Sequence, residues 1–357
     1  MVRSANKASL EDFFSMRTVT WEKGSVKMID QTLLPGRLVY RSFRRPEEVA
    51  AAIETMVVRG APAIGVAAAM GVALAAQSSR ARSREDMLKD VRAAAALLRA
   101  TRPTAVNLFW GIDRVLGLAE RGAGPSAIRT ALAEEVKNME EEDVQANKRL
   151  GRFGADLIQN GDTVLTQCNA GALATVGYGT ALGVVRAARE QGKLVKVLVP
   201  ETRPQLQGSR LTAFELERDG IDCAIIPDTA VGYVMSKGRA DKAVVGADRI
   251  TKDGYVFNKI GTYQVAVLAN RHGVPFFPAA PRSTFDLERK HDQVTIEERG
   301  YEEVVTIRGR RIAPKGVPVV NPAFDMTPPE LVTTIITDHG LIGAPLSESA
   351  VRAFWHA

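Results

Sequence analysis

The sequence predicts an α/β protein: a doubly wound, Rossmann-like parallel-sheet domain at the C-terminal end, preceded by a mainly helical domain. Three observations carry this. Apolar residues in the first half recur at spacings of three and four, the second half breaks into short apolar runs between helical stretches, and those runs end in polar or glycine-rich junctions. Spacing of three or four marks helices with a buried face, whereas strands alternating with helices imply parallel pairing through crossovers. At 357 residues the chain is long for one core. The glycine-rich stretch Arg121–Pro125 is the natural hinge, giving a helical domain over 1–125 and an α/β domain over 126–357 that includes a linking helix.

In chain order, Val19–Trp21 and Val26–Asp30 read as short strands and Pro35-Gly36 as a turn. Helices are expected over Pro46–Glu54, Ala61–Ser78, Arg84–Arg99, Ala105–Arg121 and Ser126–Asn160. The alanine- and glycine-rich Ala61–Ala76 stretch, interrupted by Pro62, reads as a buried helix and not a membrane span. Strands are expected at Thr163–Gln167, Val195–Pro200, Cys223–Pro227, Lys242–Gly246 and Pro275–Ala279. Near the end, Thr327 as N-cap, Pro328 and Glu330 form a helix-start signature, so Leu331–Thr337 is expected to be helical and to stop at Gly340.

Composition narrows the function. Two cysteines far apart, with no CxxC pair, exclude a disulfide framework and a zinc ribbon and point to the reducing cytoplasm. Met1–Lys7 lacks the apolar core of a signal peptide. The net charge of +6 permits an anionic ligand, but the basic clusters at Arg41–Arg45, Arg80–Arg84 and Arg308–Arg311 are short and lack interleaved aromatics, so neither nucleic acid nor membrane is an expected partner. The four histidines form no HExxH motif, and no Walker loop, GxSxG elbow or GxGxxG with an acidic partner is present.

The junctions after the strands are where chemistry is expected, because in a parallel sheet they lie along one edge and converge. Cys168 follows a buried strand and precedes a small-residue helix start, whose amides attract anions. Cys223, inside the apolar run Ile221–Ile226, fits a small buried hydrophobe instead. Asp248, after Ala243–Ala247, is either a general acid with a pKa raised by burial or a cap on the following turn. Asn258 and Lys259 open a helical stretch, either as ligands for a phosphate or sugar hydroxyl or as surface residues. Arg59, with Gly60 and Ala61 at the start of a helix, offers an oxyanion fork or only a tight helix start, and Arg102 is a weaker candidate of the same kind.

Taken with the strings Ile29–Pro35, Arg59–Gly65, Thr101–Leu108, Thr166–Gly171, Glu201–Gly208, Gly246–Ile250, Asn258–Gly261 and Asn321–Pro328, the chain resembles the methylthioribose-1-phosphate isomerases of methionine salvage from about Trp21 to Ile342. Their wider family holds ribose-1,5-bisphosphate isomerases and the regulatory subunits of eukaryotic translation initiation factor two-B. The resemblance implies a cytoplasmic homodimer without cofactor or metal, acting on a sugar phosphate. It also implies Cys168 and Asp248 as the catalytic pair, with Arg59, Gly60, Ala61, Arg102, Gln207, Asn258 and Lys259 holding the substrate. Phe277-Pro278, Arg282 and Asp338-His339 depart from the family pattern. A bisphosphate or 5-deoxy sugar phosphate as substrate, and a non-enzymatic sensor of sugar phosphates, are the competing readings.

Overall fold

The computed structural model describes residues 14–102, 105–307 and 309–356; the signal-peptide reading of Met1–Lys7, together with Pro103, Thr104 and Arg308 of the quoted motifs, lies outside them. The chain begins with an antiparallel sheet of β1 (Val19–Glu22), β2 (Ser25–Ile29) and β3 (Tyr40–Phe43). β3 is legible only in three dimensions: Tyr40, Arg41 and Ser42 are exposed, so no apolar alternation betrays it, and its place is set by pairing with β2.

Five helices follow: α1 (Pro46–Glu54), α2 (Ala61–Ser78), α3 (Arg84–Thr101), α4 (Val106–Arg121) and α5 (Pro125–Ala155). α2 is apolar on all sides, and 83% of it is buried inside the protein. A helix long and apolar enough to cross a membrane is therefore the axis of the helical core, with Ile53, Leu98, Leu108 and Ile112 from its neighbours in the same cluster. α5 stops at Ala155, not Asn160 as the periodicity suggests, because the Asp162 carboxylate accepts from the Gln159 amide at 2.8 Å and bends the chain into a turn. Its first half supplies Ile128, Leu132 and Val136 to the helical core and its second half Leu150 and Ala155 to the next core, so this one helix joins both.

The second half contains β4 (Thr163–Leu165), α6 (Ala181–Glu190), β5 (Lys196–Pro200), α7 (Ala213–Arg218), β6 (Cys223–Ile226), α8 (Val231–Ser236), β7 (Lys242–Val245), β8 (Arg249–Thr251), β9 (Val256–Lys259), α9 (Thr262–His272), β10 (Phe276–Pro278) and β11 (Phe285–Asp286). After these come α10 (Tyr301–Val305), the hairpin of β12 (Thr306–Ile307) and β13 (Arg310–Arg311), β14 (Phe324–Thr327), the hairpin of β15 (Thr334–Thr337) and β16 (Gly340–Gly343), and α11 (Glu348–His356). β10-β7-β4-β5-β6 form a five-stranded parallel sheet in that order. Alternate residues serve opposite faces: Val164, Val244 and Phe277 enter one core, while Leu165, Val245 and Phe276 enter the other. The expected doubly wound sheet is thus present, and the strand order reverses between β4 and β7.

A second, four-stranded sheet, β11-β8-β9-β14, was not anticipated. Its strands β8 and β9 are buried at every position, so they carry no two-residue alternation. Two further expectations are corrected. Leu331–Thr337 is not a helix: after a short 3-10 turn at Pro329–Leu331 the chain runs as β15 and returns as β16, and Asp338-His339 form the turn between them. Five β-branched residues in a row, Thr333–Thr337, favour a strand, and pairing with β16 overrides the cap signature at Thr327, which ends β14 instead. Cys223 is half-buried at the start of the sheet-edge strand β6, and not enclosed as expected.

Candidate active site

Both halves of the chain meet around a cleft of about 660 Å³ of empty space, part of it open to solvent. Cys168 lies three residues past β4 and Asp248 three past β7, so the two flank the point where the strand order reverses, and both line the cleft. The structure brings every residue expected to act on or hold the substrate to this one cavity: Arg59, Gly60, Ala61 and Arg102 from the helical half, and Cys168, Gln207, Asp248, Asn258 and Lys259 from the α/β half.

The loop holding Cys168 is strained and tightly tied. Cys168 has a left-handed φ of 60°, as does Thr202 with 63°. Such a conformation costs a non-glycine residue about 1–3 kcal/mol and persists only where the surroundings enforce it. Here the Cys168 amide donates to Thr202 Oγ1 at 3.0 Å and its carbonyl accepts from the Thr212 hydroxyl at 2.6 Å. No long helix starts directly after the cysteine; Ala172–Ala174 form a 3-10 turn, and α6 begins only at Ala181. The amides of Ala172 and Leu173 do attract an anion, but it is an internal one, the buried carboxylate of Glu215, at 2.7 and 3.1 Å.

Arg59 crosses from the end of the α1–α2 connection to this loop. Its guanidinium donates to the Asn169 carbonyl at 2.9 Å and to Asn169 Oδ1 at 2.7 Å, and lies 3.9 Å from Cys168 Sγ. Gly60 beside it adopts φ 90°, and a Cβ there would stand 2.4 Å from the Ala174 backbone. Only glycine allows the N-terminus of α2 to meet the Cys168 loop so closely. The Nε atoms of Arg59 and Arg102 and Oε1 of Gln207 are buried without a hydrogen-bond partner in the protein. Orphaned donors and acceptors of this kind in a cleft are costly unless a polar ligand satisfies them.

Asn258 and Lys259 end strand β9 and do not open a helix; α9 starts at Thr262, whose hydroxyl accepts from Asn258 Nδ2 at 2.9 Å. Lys259 Nζ donates to the Ala323 carbonyl at 2.6 Å and sits 4.4 Å from the centre of the Phe324 ring. Burial, reinforced by nearby Arg299, lowers its pKa to about 8, while the charges of Cys168 and Asp248 oppose the shift. Burial pushes the Asp248 carboxyl up, opposed by Lys259, Arg102, Arg59 and Arg299.

Sequence reasoning missed Arg299 and Phe324. Arg299 arrives on an irregular strap, 294–299, whose place is fixed by pairing far along the chain: its amide donates to the Asn321 carbonyl at 2.9 Å. Glu297 on the same strap reaches Arg299 at 3.0 Å and Arg102 at 3.6 Å, tying it to the helical half. No local motif marks it. Among the described residues, no group of three His, Cys, Asp or Glu is placed to hold a metal ion.

A thiol, a carboxyl and a group of cations line a cleft at the switch point of a Rossmann-like sheet, and residues 57–344 of the chain match the initiation factor 2 subunit family. The chain belongs to that family. It is 51% identical over 335 residues to the methylthioribose-1-phosphate isomerase of Desulforudis audaxviator, covering 93% of this chain and 96% of that one. Among solved structures, 5-methylthioribose 1-phosphate isomerase from Pyrococcus horikoshii OT3 superposes with a TM-score of 0.90 at 45% identity, over 98% of this chain and 99% of that one. The translation initiation factor eIF-2B delta subunit from A. fulgidus superposes with a TM-score of 0.85 at 50% identity, over 95% of this chain and all of that one.

Proposed function

We propose that this protein is an aldose–ketose isomerase that converts 5-methylthio-α-D-ribose 1-phosphate to 5-methylthio-D-ribulose 1-phosphate. One observation carries the reading: a thiol and a carboxyl raised by burial flank the sheet's switch point inside a cleft ringed by Arg59, Arg102, Lys259 and Arg299. The near-full-length likeness to isomerases supports it.

The phosphate of this substrate sits on the anomeric carbon, so no free aldehyde starts the reaction and the ring must open with the phosphate in place. Arg59, Arg102 and Lys259 hold the phosphate, and the helix start at Gly60-Ala61 adds main-chain donors. Gln207 and Asn258 meet the sugar hydroxyls. As the phosphate neutralises the cations that hold the Asp248 pKa down, burial dominates and the protonated carboxyl is favoured, at the moment the ring oxygen needs a proton. The hydrogen on C2 then moves to C1 beside Cys168, and the C2 hydroxyl surrenders its proton as the ketone forms. A thiolate that carries the hydrogen as a proton exposes it to solvent exchange; a direct hydride shift does not. Solvent deuterium at C1 of the product separates the two.

The test is incubation of the purified protein with 5-methylthioribose 1-phosphate while the ketose is followed. Product formation with a preference over ribose 1,5-bisphosphate is the expected result. Ligand-induced stabilisation without product would instead favour a sensor of the eIF-2B subunit type. A cytoplasmic homodimer completes the reading. The free edge of the sheet offers the contact: Ile225 of β6 is 52% exposed and Tyr233 of α8 is 56% exposed. Light scattering that returns the mass of one chain would overturn the dimer.

A further inference from the structure

One fully buried acidic side chain behind the cleft takes no part in the proposed reaction. Glu215 on α7 is fully buried and never reaches the cavity wall. Its Oε1 accepts from Asn169 Nδ2 at 2.8 Å and the Leu173 amide at 3.1 Å; its Oε2 accepts from the Ala172 amide at 2.7 Å and from Arg186 at 2.8 Å. The approach is shaped for it, since a Cβ on Gly171 would stand 2.2 Å from Oε2. Arg186, itself buried, is balanced a second time by Asp219 at 2.5 Å.

We infer that Glu215 is a positioning residue: it fixes which way the Asn169 carboxamide faces, and through it sets Arg59 against the phosphate and the Cys168 thiol. The logic is one of hydrogen-bond polarity. A carboxylate only accepts, so the Asn169 side chain must turn its NH2 toward Glu215 and its oxygen toward Arg59, where Oδ1 accepts at 2.7 Å. Arg59 only donates and needs that oxygen. Replacing Glu215 with Gln keeps the shape but offers an NH2, which allows Asn169 to turn over and face Arg59 with donors. The guanidinium then loses one of its two anchors on Asn169. Because Arg186 keeps Asp219, this substitution leaves no buried cation without a partner.

This rests on Arg59 binding the phosphate, so the test reads phosphate binding apart from turnover. Glu215→Gln is expected to stay folded, to raise KM for the sugar phosphate about tenfold with kcat changed much less, and to weaken inorganic phosphate binding by calorimetry by a similar factor. Asn169→Ala, which spares the Glu215–Arg186 pair, is expected to do the same, and adding Glu215→Gln to it should raise KM no further, since both act through one path. A residue that merely holds the core together would lower the melting temperature and the active fraction but leave KM and the phosphate Kd unchanged. That outcome overturns the inference. Where Glu215→Gln does not fold, Asn169→Ala decides: an unchanged phosphate Kd rejects it. Loss of turnover in the unmodified protein would sink the isomerase reading alone, since the phosphate measurement still stands.

Discussion

The helical half and the α/β half contribute to the cleft in different ways. The helical half contributes Arg59 and Gly60 just before α2 and Arg102 just after α3, and both arginines carry a buried Nε that lacks a protein partner. From the sheet come the thiol and the carboxyl, each three residues past a parallel strand. A helix N-terminus, here that of α2, is suited to holding an anion and strand ends to presenting single groups into a crevice; in the proposed reaction the chemistry falls to the sheet, while the phosphate is shared between Arg59 and Arg102 of the helical half and Lys259 at the end of β9.

The largest test of that division is on the sheet side. Cys168→Ala and Asp248→Asn should each lower kcat at least ~100-fold with the fold intact by circular dichroism, the scale of lost acid–base catalysis. Near-normal kcat in either would remove that residue from the chemistry. On the helical side, Arg59→Ala should mainly raise KM, by ~10-fold or more, because the phosphate is held in ground and transition states alike. A selective fall in kcat would erase the distinction between the halves.

A third test addresses the seam. Gly60→Ala places a Cβ 2.4 Å from Ala174 at a left-handed position, so it should lower the melting temperature and weaken substrate binding together. An unaffected melting temperature would show that the halves do not need so close a contact.

pH offers a smaller effect. Lys259 is charged below its pKa of about 8, so kcat/KM should fall as pH rises through about 8. Lys259→Arg should move that alkaline limb upward, and a limb unmoved in the variant would assign it elsewhere. The smallest effect concerns Asp143 on α5, which accepts from the Val176 amide at 2.8 Å and whose pKa burial raises to about 7. A carboxyl with a raised folded-state pKa contributes stability fully below its unfolded value and loses it as pH rises through the folded one. Melting temperature should therefore drop as pH rises from about 4 to about 7, and Asp143→Asn should flatten part of that drop; an identical slope would remove Asp143 from the balance.

How much was legible in the sequence follows the same divide. α2 was readable from its sequence, because a long alanine-rich apolar run with its one proline in the first helical turn has few alternatives. Cys168 and Asp248 were readable because a buried run of β-branched residues ending in glycine or polar residues is a strand end whatever its neighbours are. Lys259 was found for the wrong local reason: Val256–Lys259 is a short, wholly buried strand, and its membership in the second sheet depends on β14, some sixty residues on. Thr334–Thr337 was misread because a local cap signature lost to a hairpin partner. Arg299 and Glu215 left no trace, since one arrives on an irregular strap and the other acts from behind the cleft through Asn169.

Side-by-side binding and turnover of Cys168→Ala with 5-methylthioribose 1-phosphate tests the division most directly. Calorimetric affinity within a few-fold of the unmodified protein and almost no ketose is the expected result. Loss of binding in step with turnover, or ketose formed at the ordinary rate, would contradict it.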